Sequence, residues 1–154
     1  MEKATFGAGC FWKVEAAFRK VQGVIKTSVG YMGGHFPDPS YLDVLSRITG
    51  HAEVTQVEYN PEQVSYDELL AVFWNIHDPT SLNRQGADRG EQYRSVIFYH
   101  SPMQEQIARK SKQLLQLSGK YDQDLVTEIK PASEYYLAEA YHQQYLEKKL
   151  MVDG

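Results

Sequence analysis

A chain of 154 residues with 42% hydrophobic composition is long enough to bury one stable core and short for two, so a single domain is expected over residues 1–154. A net charge of −4, with no basic stripe or cluster, excludes an electrostatic footprint for nucleic acid. No apolar run approaches the roughly 20 residues that cross a bilayer; the start MEKATFGAGC lacks a signal peptide's basic head and apolar core, and a single cysteine excludes a disulfide scaffold, so a cytoplasmic protein with no membrane partner is expected.

In chain order, KATFGAG reads as a strand running into glycines, followed by a helix whose buried face carries Phe11, Val14, Phe18 and Val21, with Gly23 available to close it. GVIKTSVGYMGG is rich in β-branched residues and reads as a second strand, which HFPDPSY ends because Pro37 and Pro39 remove donors; a loop then runs to Tyr41. HAEVTQVEYNP is a third strand, with Glu53, Thr55, Val57 and Tyr59 on one side. Ser65 and Glu68 have capping-box spacing before a helix with an apolar stripe of Leu69, Leu70, Phe73 and Ile76. PTSLNRQGADRGEQYRS is a long polar loop, which a compact domain seldom carries without a functional use. The strand YRSVIFYH follows, then a helix capped by Ser101 with Pro102 in its first turn and Gly119 as its stop. LVTEIKP reads as a short strand and EYYLAEAYHQQYLEKKL as a last amphipathic segment. Strand–helix units with additional strands predict an α+β fold, a mixed sheet covered by helices. GAGCFW places bulky aromatics where a dinucleotide loop needs its last glycine, and no phosphate-loop motif occurs, so nucleotide binding is discarded.

The lone cysteine, Cys10, stands at the strand–helix junction. There the free N–H groups and the positive end of the helix dipole favour a thiolate, a nucleophile. The alternative is a small buried hydrophobe, since free cysteine is among the most buried residue types. Phe11 and Trp12 are costly to expose, and Gly7, Ala8 and Gly9 let the backbone approach another group, which together suit a small, partly apolar substrate. The five histidines are scattered without zinc or protease spacing and read as solvated or capping residues, so no metal site is expected. Glu53 and Asp88 are the candidate acids, Glu53 standing beside the ordinary alternative of a solvent-facing strand residue. Tyr41 and Tyr93 are candidate hydroxyl donors among 11 tyrosines, most of which must pack. These residues define a thiol with acid partners and leave the reaction open.

The motifs GCFW (9–12), GYMGG (30–34), PSY (39–41), GHAEV (50–54), HDPTSLNRQGADRGEQYRS (77–95) and YHQQYLEKK (141–149), in this order, resemble the A-type peptide methionine sulfoxide reductases along nearly the whole chain. The resemblance implies a two-layer α+β sandwich with a ferredoxin-like plait, and reduction of the S epimer of methionine sulfoxide, free or in protein. It implies Cys10 as nucleophile at the sulfoxide sulfur, Phe11 and Trp12 as the apolar cage for the substrate methyl group, and Glu53 as the acid on the sulfoxide oxygen. Tyr41 and Tyr93 become oxygen-side hydroxyl donors, and Asp88 the loop carboxylate that organises the site. The product at sulfur is a sulfenic acid.

Two features depart from many relatives. The sequence has no second cysteine to resolve the sulfenic acid, so the expected reductant is an external thiol: thioredoxin, glutaredoxin with glutathione, or another small thiol. Lys13 stands where many relatives have glycine, adding positive charge near the sulfur while slightly opposing the dipole. No bound cofactor and a monomer are expected. A one-cysteine peroxidase would need a threonine and an arginine near the thiol, which the local sequence lacks although Arg94 could be folded close. A module that merely grips the sulfoxide has no need for a thiol opposite an acid.

Overall fold

The computed structural model describes residues 1–153; Gly154, the end of the expected domain, lies outside the described residues. Strand β1 (Glu2–Ala8) runs through the middle of a six-stranded sheet, and its residues from Ala4 to Ala8 are all buried because both faces are covered. Its neighbours are β3 (Ala52–Tyr59) on one side and β6 (Ser95–Tyr99) on the other, both antiparallel to it, with Phe6 opposite Thr55 and Ile97. Strand β2 (Val24–Met32) pairs antiparallel with β3, β7 (Glu128–Pro131) pairs parallel with β6, and the short β8 (Tyr136–Leu137) lines the edge of β2. The order β7-β6-β1-β3-β2-β8 is thus a mixed sheet, as the alternation of strands and helices predicts. Two further strands, β4 (Arg84–Gln85) and β5 (Asp88–Arg89), form a small separate hairpin.

Helices α1 (Phe11–Arg19), α3 (Tyr66–Asn75) and α4 (Pro102–Leu117) accompany this sheet. Phe6 of β1 is the centre of the largest apolar cluster, its ring stacked 5.1 Å from Phe18 and 5.2 Å from Phe73 by centroid, with Leu69 and Leu70 around it. Interlocked aromatic rings of this kind hold the strand–turn–helix around Cys10 in a fixed position relative to the sheet.

Two local expectations are corrected, and two segments take a form the sequence left unassigned. Helix α1 stops at Arg19, and Gly23, at φ +101°, serves the turn into β2 and does not cap the helix. Ser65 accepts the Glu68 N–H at 3.1 Å, but its hydroxyl also turns toward Glu68 Oε1 at 3.3 Å, so the carboxylate does not reach back to close the box. The reciprocal box forms at Ser40 and Asp43, where the expected loop ends and a short helix α2 (Tyr41–Leu45), not assigned from the sequence, begins; a template seeking Glu or Gln at the third position passes over the aspartate. The C-terminal amphipathic stretch is divided into β8, a 3₁₀ turn (Ala140–His142) and helix α5 (Tyr145–Asp153). The Gln143 side chain takes both backbone groups of Val29 (Oε1 from N at 2.9 Å, Nε2 to O at 2.8 Å), and Gln144 adopts φ +52°; side-chain pairing with β2 displaces continuous helix there.

Candidate active site

The sulfur of Cys10 sits where β1 ends and α1 begins. Gly9 makes this turn at φ +94°, and a Cβ there would lie 2.9 Å from the Gln85 side chain, so only glycine lets the polar loop close over the junction. Cys10 is the N-cap residue of α1 and half-buried; its side chain makes no capping hydrogen bond, and the backbone N–H groups of Trp12 and Lys13 face its sulfur closely enough to favour the thiolate electrostatically. Against the expectation of a ready thiolate, burial raises the thiol to about pH 11, and the nearby carboxylates Glu53 and Asp88 push the same way. The two N–H groups lower it, but less than desolvation raises it. Lys13 is exposed and acts on the sulfur through its backbone N–H.

Glu53 is not a solvent-facing strand residue: it is 1% exposed. Its Oε1 accepts the N–H of Phe11 at 3.3 Å, from the residue that follows Cys10, and its Oε2 has no hydrogen-bond partner. Burial raises the Glu53 carboxyl to about pH 8; the Phe11 N–H lowers it and the charge of Asp88 raises it further. At neutral pH, therefore, both the thiol and the acid hold their protons.

Tyr41 enters the site as the first residue of α2, with its backbone N–H held by Glu139 Oε2 at 3.1 Å. Tyr93 ends the 3₁₀ turn Glu91–Tyr93. Burial and then the charge of Glu53 raise both phenols, Tyr41 to about pH 12, with Asp88 and Cys10 contributing to each. The five polar residues singled out in the sequence thus share a single electrostatic neighbourhood, in which the charges of Glu53 and Asp88 bear on Cys10, Tyr41 and Tyr93. Phe11 is wholly buried, its ring 5.8 Å from Tyr31 and 5.2 Å from His142. Trp12 is partly exposed and stacks on Tyr145 at 3.9 Å.

The long polar loop is firmly held. The Gln85 amide pairs with both backbone groups of Asp78 (2.9 and 2.8 Å), and Arg47 reaches across from the segment after α2 to the Arg89 carbonyl at 2.8 Å. His77 anchors its start between the Phe73 carbonyl and the Ser95 hydroxyl, both at 2.7 Å; burial lowers it to about pH 4. The reading of the histidines as solvated or capping holds for exposed His35 and His100 and for His77 at the end of α3, and is corrected at His51 and His142. His51 is 2% exposed and joins the Gly34 N–H to the Phe36 carbonyl, while His142 is fully buried against the aromatic residues of the site.

Reasoning from sequence missed His142, Glu139 and Tyr145 as site-building residues. The available signal was the dense polar–aromatic run YHQQY, too rich in large polar groups for a plain surface helix. Arg94 is engaged by Glu128 Oε1 at 2.8 Å and donates to the Glu91 carbonyl at 2.9 Å. A cavity of about 580 Å³ lined by Gly33, Asn83, Arg94, Phe98, Glu128 and Lys130 contains none of the singled-out site residues. Among the described residues, no group of three His, Cys, Asp or Glu side chains is placed to hold a metal, and no helix is long and apolar enough to cross a membrane.

A thiol and a neutral carboxylic acid, flanked by phenols and aromatic rings, are the equipment of a thiol-dependent oxidoreductase acting on a polarised oxygen. The family described as peptide methionine sulfoxide reductase matches residues 2–152. The peptide methionine sulfoxide reductase MsrA 1 of Nostoc sp. (strain PCC 7120) is 72% identical over 149 residues, 97% of this chain and 91% of that protein. Among solved structures, the reduced form of Mxr1 from Saccharomyces cerevisiae superposes with a TM-score of 0.91 at 39% identity, covering 97% of this chain and 86% of that one. Mxr1 in complex with Trx2 matches with a TM-score of 0.66 at 29% identity, covering 94% and 84%. The chain belongs to the peptide methionine sulfoxide reductases, and its reaction is the thiol-dependent reduction of methionine sulfoxide to methionine, a repair of oxidative damage.

Proposed function

We propose that Cys10 is the nucleophile and Glu53 the acid in reduction of the S epimer of methionine sulfoxide. The observation that carries this reading is the Phe11 N–H held by Glu53 Oε1, which ties the acid to the residue beside the thiol while leaving Oε2 unpartnered. A sulfoxide sulfur is a weak electrophile until its oxygen is protonated, and an acid raised to about pH 8 arrives with the proton in place. Glu53 gives that proton to the oxygen as Cys10 Sγ attacks, and the proton leaving Sγ restores the acid. The oxygen passes to Cys10: thiol and sulfoxide become sulfenic acid and methionine, with atoms and electrons balanced. Tyr41 and Tyr93 donate to the same oxygen, and neither phenol ionises near neutral pH. Asp88 adds negative charge that keeps Glu53 protonated. Trp12 supplies the accessible wall for the methyl group, with Phe11 behind it.

No other thiol occurs among the 154 residues, so two equivalents of an external thiol return the sulfenic acid to thiol, releasing disulfide and water. The complex of the yeast relative with Trx2 favours a thioredoxin-class reductant over glutaredoxin with glutathione or another small thiol. Residues 1–154 are read as one catalytic domain, monomeric and cytoplasmic, needing no bound cofactor. Its core is read as a two-layer sandwich with a ferredoxin-like plait, supported by the succession β1-α1-β2-β3-α3-β6 and the order β6-β1-β3-β2.

The test is turnover of the separated S and R epimers of a methionine sulfoxide peptide with thioredoxin or dithiothreitol. Methionine is expected from the S epimer alone; equal rates on both would remove the epimer assignment.

A further inference from the structure

Glu15 is a glutamate with 1% exposure on α1, three residues after Trp12 and therefore one turn along the same side of the helix. Burying a carboxyl costs heavily unless donors meet it. Here three do: Oε1 accepts the backbone N–H of Gln144 at 2.8 Å, and Oε2 accepts the Gln144 side-chain amide at 2.8 Å and the Thr27 hydroxyl at 2.7 Å. Two of these bonds hold Gln144 in a left-handed backbone conformation, φ +52°, which costs a residue with a side chain about 1 kcal/mol. Without them Gln144 has reason to leave that conformation, and its peptide planes would carry the flanking residues with it.

Those flanking residues grip Trp12. On one side, His142 Nδ1 accepts the indole N–H at 2.9 Å, so its neutral ring carries the proton on Nε2. On the other, Tyr145 stacks on the indole at 3.9 Å with the rings 14° apart. We infer that Glu15 is a positioning residue for sulfoxide reduction: by locking Gln144 it sets His142 and Tyr145 around Trp12 and so fixes the indole that receives the substrate methyl group. Glu15 does not touch substrate; it works through Trp12. The inference rests on the proposed role of Trp12, and its test separates the two.

The test is a double-mutant cycle of Glu15→Gln and Trp12→Phe, with kcat and KM measured on a methionine sulfoxide peptide using dithiothreitol as reductant. Glutamine turns one acceptor into a donor facing donors. With Trp12 present, KM is expected to rise about tenfold while kcat changes less than about threefold. With Phe at position 12, Glu15→Gln is expected to change KM less than twofold. Equal losses in both backgrounds would make Glu15 a merely structural residue and overturn the inference.

The spectroscopic readout is the indole N–H signal. The chain has two tryptophans, so the signal of Trp12 is the one lost in Trp12→Phe, while that of Trp74, bonded to Ser111 Oγ at 2.8 Å, serves as control. In Glu15→Gln the Trp12 signal is expected to shift and exchange faster with water while Trp74 stays; an unmoved Trp12 signal would also overturn the inference. If Glu15→Gln does not fold, Gln144→Ala keeps the backbone N–H bond to Glu15 and removes the side-chain amide with its bonds to Glu15 Oε2 (2.8 Å) and the Thr27 carbonyl (3.4 Å), with an expected KM increase of about threefold that vanishes in Trp12→Phe. If Trp12→Phe alone leaves KM and kcat unchanged, the substrate role of Trp12 fails, and this inference with it.

Discussion

Replacing Cys10 with serine is expected to lower methionine formation by a factor on the order of 10⁴ or more while leaving the protein at least as stable as before. Oxygen transfer needs a sulfur that can become a sulfenic acid, and a serine hydroxyl has no such chemistry. Stability should move the other way. Cys10 is the N-cap of α1 and makes no side-chain capping bond, whereas serine is among the best residues at that position and is worth about 1 kcal/mol there. Activity by stopped assay and thermal unfolding on the same preparation check both halves. Retained turnover in this variant would refute the nucleophile assignment. Lost activity with a large fall in unfolding temperature would show only that the site had collapsed.

The second large effect belongs to Glu53→Gln, expected to slow the chemical step by about 10²- to 10⁴-fold, because glutamine keeps the shape and can still accept the Phe11 N–H but offers no proton to the sulfoxide oxygen. The pH dependence gives a sharper criterion. If both groups react in their protonated forms, the wild-type single-turnover rate is level below about pH 8 and falls as Glu53 ionises. A rate that instead climbs tenfold per unit toward pH 8 would mean that a preformed thiolate is required. The same group makes stability depend on pH. The folded carboxyl lies near pH 8 and the unfolded one near 4.5, so the native state binds this proton more tightly. Its contribution is complete below about pH 4.5, is lost as pH rises to about 8, and then levels; at about 1.4 kcal/mol per unit the loss amounts to a few kcal/mol. Glu53→Gln removes that slope, so unfolding curves at pH 5 and pH 9 should differ less for the variant than for the wild type.

Much of the scaffold is legible before any coordinates. Alternation places Glu53 on the same side of β3 as Val57 and Tyr59, which pack in the core, and the glycines ahead of Cys10 mark a sharp strand-to-helix turn. What the sequence pattern misjudges is burial. The helix N-terminus points to a depressed thiol, and only the fold reveals that enclosure of Cys10 outweighs two N–H groups. The carboxyl of Glu53 is likewise ordinary until the sheet and α1 close around it. The subdivision of the C-terminal segment is illegible for a different reason. Its apolar spacing suits a helix, but the Gln143 amide finds the Val29 backbone and Gln144 finds Glu15, partners more than 100 residues away that no local pattern contains. His142 is hidden by the same long-range pairing, since its tie is to Trp12.

The most direct test of the account is a single turnover with no thiol present. The reduced enzyme is mixed with excess S-epimer peptide, methionine is counted, and the intact protein and its Cys10 peptide are weighed. The account predicts about one methionine per enzyme and a protein heavier by one oxygen, located on Cys10 and removed by added thioredoxin or dithiothreitol. Methionine formed without oxygen on Cys10, or no methionine at all from folded protein, would contradict it.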